Sequence, residues 1–232
     1  MAGNDPEVNE EWITDKDRFA FEWDKQDRLV TPLVREDGIL VPTSWSDALD
    51  RVRKGLEAAD QTGFLPGGRL SFEDAWAWSK FARTVIGSDS IDARVRTISA
   101  EETSFLASKV AGTGLGVTYT DLENAGQVLL VGLEPEDEAG AIFLRLRKGV
   151  RKGGVKVATV APFTTNGSAK MSATLLRAAP GTEPEVVASI AEGEQNAELA
   201  AALNGGVILV GERAARTPGL LSAVVELAER TG

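Results

Sequence analysis

No cysteine and no histidine occur among the 232 residues, and tyrosine occurs once, at Tyr119. Without cysteine there are no disulfides, no thiolate metal sites and no cysteine nucleophile, a usage that fits a cytosolic protein. Without histidine, a Ser-His-Asp triad, a histidine metal site and a histidine acid–base are excluded as well. Carboxylate, lysine, arginine, hydroxyl and one phenol remain, a thin inventory for an enzyme of this length. Basic residues are in deficit: 25 Lys and Arg against 35 Asp and Glu leave a net charge of -10. That balance argues against nucleic acid or an anionic membrane as the main partner. No apolar run approaches about 18 residues, so no direct membrane insertion is expected. The N-terminus also lacks the basic-then-apolar order of a signal peptide.

What is present is organised around residues 127–163. Gln127-Val128-Leu129-Leu130-Val131-Gly132 is a short apolar run ending in glycine. Leu133 to Glu138 is a proline-broken acidic turn, and from Ala139 to Arg151 the period becomes helical, with Ile142, Leu146 and Val150 on one face and Phe143 beside them. Gly153-Gly154 stops that helix, and Val155 to Val160 is a second β-branched run. Strand, helix and strand of this length predict a right-handed βαβ unit. The turn carries Glu134, Glu136, Asp137 and Glu138, which suit the positive end of a helix dipole and would repel a phosphate. Arg145, Arg147, Lys148, Arg151 and Lys152 suit the other end.

Along the chain, Met1 to Asp27 is acidic with Trp12, Phe19, Phe21 and Trp23 spaced through it, which predicts an extended segment pinned by its aromatics onto the α/β body or a neighbouring chain. Residues 31–41 read as a β-hairpin turning at Asp37-Gly38. Ser44, Ser71 and Ser99 each start a helix, with Leu49, Val52 and Leu56 as the face of the first and Trp78, Phe81, Ala82 and Val85 of the second. Trp76 and Trp78 read as core or docking surface, since no basic groove accompanies them. Residues 62–65 and 90–93 are weak strand candidates. Gly112-Thr113-Gly114-Leu115-Gly116 follows a helix rather than a strand, so it fails the dinucleotide fingerprint and reads as a connection. Thr164 to Gly167 reads as a polar loop, 174–177 as a strand, and Thr182-Glu183-Pro184-Glu185 as a T-x-x-E helix start. An Ala-rich helix over 196–203, a buried strand over 207–211 and an uncapped helix over 218–230 complete the chain. The expected fold is α/β: a doubly wound, Rossmann-like parallel sheet with an irregular N-terminal segment and a small β-hairpin. Its expected divisions are residues 1–42, 43–95 and 96–232.

Several stretches resemble the molybdopterin oxidoreductase superfamily. Residues 128–135 are similar to its V-L-L-x-G-x-N-P turn, 144–153 to the following helix, 160–165 to its D-P-R-x-T turn and 180–183 to its P-G-T-D turn. Ser44 to Leu49 resembles the S-W-D-E-A-L helix start, and Val207 to Glu212 the P-V-I-L-V-G-E strand. Asn9 to Phe19 looks like the N-E-x-W-x-C-D-K-G-R-[FY] motif of the G subunits of NADH-quinone oxidoreductase, the large peripheral-arm subunits of respiratory complex I.

That resemblance implies an internal piece of a much longer subunit. Its partners would be the rest of that subunit and the other peripheral-arm subunits of complex I, on the cytoplasmic side of the inner membrane. The longer subunit would carry [2Fe-2S] and [4Fe-4S] clusters, with no cofactor in these residues. Thr14 stands at the motif's cluster-ligand cysteine, and a hydroxyl replaces a thiolate poorly. No metal is therefore expected here. The family's pterin-dinucleotide rim maps onto Gly132, Glu134, Pro135, Pro162, Thr164, Gly181, Thr182 and Gly211. Glu134 replaces its asparagine, and Ala161 and Phe163 replace the aspartate and arginine of D-P-R. The molybdenum-ligand region, Arg94 to Ser99, offers only Thr97 and Ser99 oxygens. The expected function is thus a structural molybdopterin-oxidoreductase-like domain without catalytic residues, supporting electron transfer from NADH to quinone, its rim an empty cleft kept for shape. The alternatives are a pterin-dinucleotide-binding fragment of a catalytic molybdopterin oxidoreductase, or a nucleotide-binding module supported only by its glycine loops.

Overall fold

The computed structural model describes residues 2–94, 96–193 and 196–232, with the side chain of Trp23 outside the description. The chain divides into two compact units: Met1–Glu22 with Ile98–Gly232, and Trp23–Thr97. In chain order the helices and strands are α1 (Asp15–Phe19), β1 (Leu33–Glu36), β2 (Ile39–Pro42), α2 (Trp45–Ala58), α3 (Phe72–Phe81), α4 (Ala100–Phe105), α5 (Tyr119–Asn124) and β3 (Gln127–Val131). There follow α6 (Pro135–Glu138), α7 (Gly140–Arg151), β4 (Lys156–Ala161), α8 (Asn166–Lys170), β5 (Thr174–Arg177), α9 (Glu183–Glu192), α10 (Ala197–Leu203), β6 (Val207–Val210) and α11 (Leu220–Thr231).

The smaller unit carries the expected hairpin, β1 antiparallel to β2. Its turn holds Asp37 at φ 47° and Gly38 at φ 84°, the two positive angles a primed turn needs. Ser44 and Ser71 cap α2 and α3 by accepting from the N–H groups of Asp47 and Asp74, each at 3.1 Å. Residues 64 and 91 form a single parallel bridge, all that remains of the two weak strand candidates. Phe64, Trp78 and Phe81 pack ring against ring at about 6 Å. The expected inward faces are largely uncovered, however. No residue of α2 is buried, and Leu49, Val52 and Val85 are more than half exposed. Helical period fixes which residues share a face; it does not supply what covers that face.

In the larger unit four strands run parallel in the order β5-β4-β3-β6. Alternation along β3 sends Leu129 and Val131 to one face, against α9, α10 and α11, and Val128 and Leu130 to the other, against α5 and α7. The βαβ unit and its doubly wound setting are as the apolar runs imply. Three local expectations change. The acidic turn contains a helical turn of its own, α6, with Glu134 as N-cap. The polar loop is the start of α8, where Thr165 caps by accepting from Ser168 N–H at 3.0 Å. Thr182 precedes α9 without capping it; its hydroxyl donates back to the Ala179 carbonyl at 3.0 Å.

The N-terminal segment is not extended: Thr14 caps the short helix α1. Nor do Trp12 and Phe19 pin it to the body, for they stay 65% and 60% exposed; the side chain of Trp23 lies outside the described residues. Polar contacts hold it instead. Arg145 donates to the Val8 carbonyl at 2.9 Å and the Pro6 carbonyl at 2.8 Å, and Lys148 to Glu10 at 2.8 Å. A guanidinium offers five donors in a fixed fork, enough to gather several carbonyls that aromatic rings cannot.

Candidate functional site

The rim lies at the carboxyl ends of the four strands, where open α/β sheets bind ligands. Strand order reverses between β3 and β6, so the switch-point crevice opens beside Gly132 and Gly211. These two glycines are in contact, and the Gly211 N–H donates to the Val131 carbonyl at 2.9 Å. A 3-10 turn over Glu212–Arg216 then folds back, burying Ala214 completely. A Cβ on Gly132, whose φ is 61°, would lie 2.6 Å from the Ala214 nitrogen. Gly132 is therefore needed because the chain's own backbone occupies the space in front of it. Arg213 ties the turn to Glu138 at 2.7 Å.

Glu134, Glu136 and Glu138 are engaged with the protein. Glu134 is buried, accepts from the Thr165 hydroxyl, and accepts from Glu136 N–H at 3.3 Å. Glu138 accepts from Glu134 N–H at 3.2 Å, and Glu136 pairs with Lys170. Gly167 passes so close to the Glu134 carboxylate that any side chain there would collide with it. Pro135 is buried at the start of α6, whereas Pro162, Phe163 and Thr164 are exposed between β4 and α8. At the β5–α9 turn Gly181 has φ 95° and donates to Glu183 at 2.7 Å, beside Thr182. The structure thus joins Gly132 to Gly211 and Glu134 to Thr165. Pro162 with Thr164, and Gly181 with Thr182, remain on separate loops. Sequence reasoning misses Thr165, Gly167 and Ala214, although the T-x-x-S spacing at 165–168 is a legible cap signal.

Thr14 is 5% exposed, and its hydroxyl donates to Asp17 at 2.7 Å. It packs on the start of α7, where a Cβ on Gly140 would lie 2.9 Å from the Thr14 methyl carbon. Among the described residues no group of three metal-ligating side chains assembles.

A charged centre lies on α7, away from the rim. Glu123 accepts from Arg145 at 2.9 Å and Lys152 at 2.7 Å, with Lys148 at 3.0 Å. Burial pushes the Glu123 carboxyl up, and hydrogen bonds from Lys152, Lys148 and Arg145 outweigh it, holding the group at about 2. Lys148 is held above its usual range, chiefly by Glu10 and then by Glu123. The adjoining groove, about 380 Å³, is lined by Val8, Trp12, Leu144, Arg147 and Arg151 among others.

Comparison with known proteins decides the family. The molybdopterin oxidoreductase model matches residues 28–217. The chain belongs to the molybdopterin oxidoreductase family. Members similar over the whole chain include the NADH-quinone oxidoreductase G subunit of Mycobacterium tuberculosis, 51% identical over 238 residues and 29% of that relative. The protein of the same name from Streptomyces coelicolor is 49% identical over 255 residues, 30% of its length. A more distant relative, F420-dependent formate dehydrogenase 1 subunit alpha of Methanococcus maripaludis, is 29% identical over 186 residues, covering 79% of this chain and 27% of the relative. The chain therefore spans less than a third of the curated relatives it matches. Among the described residues no helix is long and apolar enough to cross a membrane.

Proposed function

We propose that this molybdopterin oxidoreductase domain is a structural part of the peripheral arm of an NADH-quinone oxidoreductase, carrying no pterin and no cluster of its own. It would hold the rest of its subunit and neighbouring arm subunits in place while electrons pass from NADH to quinone elsewhere. The observation that carries this is the filled switch point: the Gly211–Ala214 backbone lies against Gly132, where a dinucleotide would need room. The residues present do not fit a guanine dinucleotide. Glu134 and its Thr165 partner sit at the family's asparagine, and exposed Phe163 replaces the arginine. Pairing of Glu136 with Lys170 and Glu138 with Arg213 softens charge repulsion at the rim, so steric closure carries more of the case than charge does. For a [4Fe-4S] ligand, the buried Thr14 hydroxyl is already committed to Asp17. Identity of 49–51% to proteins named as G subunits of NADH-quinone oxidoreductase supports the assignment to such a complex.

The second reading, a dinucleotide-binding part of a catalytic enzyme, is favoured by the 29% identity to a formate dehydrogenase subunit. Calorimetric titration with guanosine diphosphate separates the two. No binding tighter than about 1 mM is expected. Micromolar binding that disappears on changing Thr164 or Thr182 would establish the second reading instead. Molybdenum and pterin analysis of the purified full-length protein should likewise find neither.

A further inference from the structure

Helix α7 carries Arg145, Arg147, Lys148 and Arg151 and no acidic residue, and Lys152 follows at its C-cap. Three of these five cations are engaged: Arg145, Lys148 and Lys152 all meet Glu123, and Lys148 also meets Glu10. Arg147 and Arg151 differ. Among the described residues no carboxylate reaches either guanidinium. They stand one turn apart on the helix, a spacing that puts Cβ atoms about 5–6 Å from each other, and like charges so placed weaken a helix. The helix dipole accounts for Arg151, in the last turn, but not for Arg147, which precedes that turn. On α2 the chain pairs such a residue, for Arg53 has Asp50 and Glu57, each at 2.7 Å.

Both arginines border the groove of about 380 Å³, and so does Trp12. The ring is 65% exposed, yet the backbone around it is fixed. The Trp12 N–H donates to the Asn9 carbonyl at 2.8 Å, and Asn9 Nδ2 donates to the Trp12 carbonyl at 3.1 Å. Glu10 on one side is held by Lys148, and buried Thr14 on the other packs on the start of α7. An open tryptophan on ordered backbone, beside two arginines without carboxylate partners, has the composition of an interaction hot spot.

Charge identifies the partner. The five cations are offset only by Glu10 and Glu123, which leaves the groove positive in a chain of net charge -10. Such a surface attracts carboxylates and selects against basic partners. The positive zone is also short. Asp5, Glu7, Glu11 and Asp15 are exposed on the same N-terminal segment, so an extended polyanion such as nucleic acid or an anionic bilayer meets repulsion beside the groove. A short acidic stretch of polypeptide avoids it. Two guanidinium groups one turn apart can each take a carboxylate in a bidentate grip.

We propose that this groove is a docking site for an acidic segment of another polypeptide, with two of its carboxylates on Arg147 and Arg151 and an apolar side chain against Trp12. The site is independent of what the rim binds.

Fluorescence anisotropy with a short labelled peptide of Glu-Glu-Leu repeats tests it. The peptide should bind with a dissociation constant of about 100 µM or tighter, weakening as salt is added. The Gln-Gln-Leu peptide should bind at least about tenfold more weakly. Arg147→Glu with Arg151→Glu should weaken binding of the acidic peptide by about tenfold or more, and Trp12→Ala by about threefold or more. The charge-matched pair Arg177→Glu with Arg216→Glu, exposed positions outside the groove, should leave it unchanged. Absence of binding, equal binding of the glutamine peptide, or equal loss in the two arginine pairs overturns the proposal. So does tighter binding of an oligothymidylate or of phosphatidylglycerol vesicles that is lost with Arg147 and Arg151, which would assign the groove to phosphate-bearing partners. Sedimentation equilibrium of the chain should give a monomer; a dimer that dissociates on the Arg147→Glu, Arg151→Glu change would assign the groove to a second copy, and also overturns it.

Discussion

The Arg145 guanidinium donates to the Glu123 carboxylate at 2.9 Å, with the two side chains only 5% and 7% exposed. A buried pair of this kind is stabilising only when its remaining donors and acceptors are also met. Here Lys152 and Lys148 complete Glu123, and the Pro6 and Val8 carbonyls complete Arg145.

The first prediction concerns acid stability. Glu123 sits at about 2 in the folded protein against an ordinary 4.5, so the unfolded chain binds its proton first as pH falls. Its contribution is therefore complete above pH 4.5 and is lost as pH drops through about 2. That difference corresponds to about 3 kcal/mol at most, and to about 2 kcal/mol once water screens the half-exposed lysines. Glu123→Gln should destabilise the protein by at least that amount at pH 7 and flatten this limb of the stability profile. Urea melts between pH 2 and 7 are the check; an unchanged acid limb would remove Glu123 from the account.

The second concerns the N-terminal segment. Since Arg145 holds the Pro6 and Val8 carbonyls while Trp12 stays largely exposed, Arg145→Leu should free residues 6–10 while leaving the sheet intact. Limited proteolysis within the first 14 residues should quicken by about tenfold or more, because local opening of a loosely held segment governs cleavage. Trp12→Ala should have little effect, as its ring is 65% exposed.

The βαβ unit and the strand at 207–210 are legible in sequence because an apolar run closed by glycine has few other uses. Helix α8 is harder to read, because the turn residues of Thr165-Asn166-Gly167-Ser168 mask its T-x-x-S cap spacing, which the Ser168 N–H bond to Thr165 bears out. Arg145 reads as a solvated charge near a helix end; its burial depends on Glu123, 22 positions earlier. At the rim, glycine has the same letter whether it makes room for a phosphate or for Ala214. Only tertiary contact separates the two.

The third prediction concerns α11, which has no cap from its own residues. Glu101 supplies one from α4, accepting from Gly219 N–H and Ser222 N–H, each at 2.8 Å. These bonds overcome the effect of burial and hold the Glu101 carboxyl below its usual range. Glu101→Ala should cost about 1–2 kcal/mol, as loss of a charged N-cap does. Chemical denaturation at pH 7 would show it, with the difference from wild type shrinking as pH falls and Glu101 protonates. A difference independent of pH would mean that packing, and not the carboxylate, was lost.

The fourth separates a glycine required by the fold from one merely suited to a turn. Gly132 and Gly181 both lie on the rim with positive φ, 61° and 95°. Around Gly181 nothing lies within 4 Å of an added Cβ, so Gly181→Ala meets only backbone strain, about 1 kcal/mol. At Gly132 the same methyl would press on the Ala214 nitrogen at 2.6 Å and its Cα at 3.0 Å. Backbone cannot swing aside as a flexible side chain does, so either β6 and the Glu212–Arg216 turn shift or the switch point opens. Gly132→Ala should therefore cost about 3 kcal/mol or more, and Gly181→Ala no more than about a third of that. Thermal melts of the two variants measure the difference. If Gly132→Ala proved as mild as Gly181→Ala, the turn would not fill the crevice tightly, and the steric case against a dinucleotide there would fall with it.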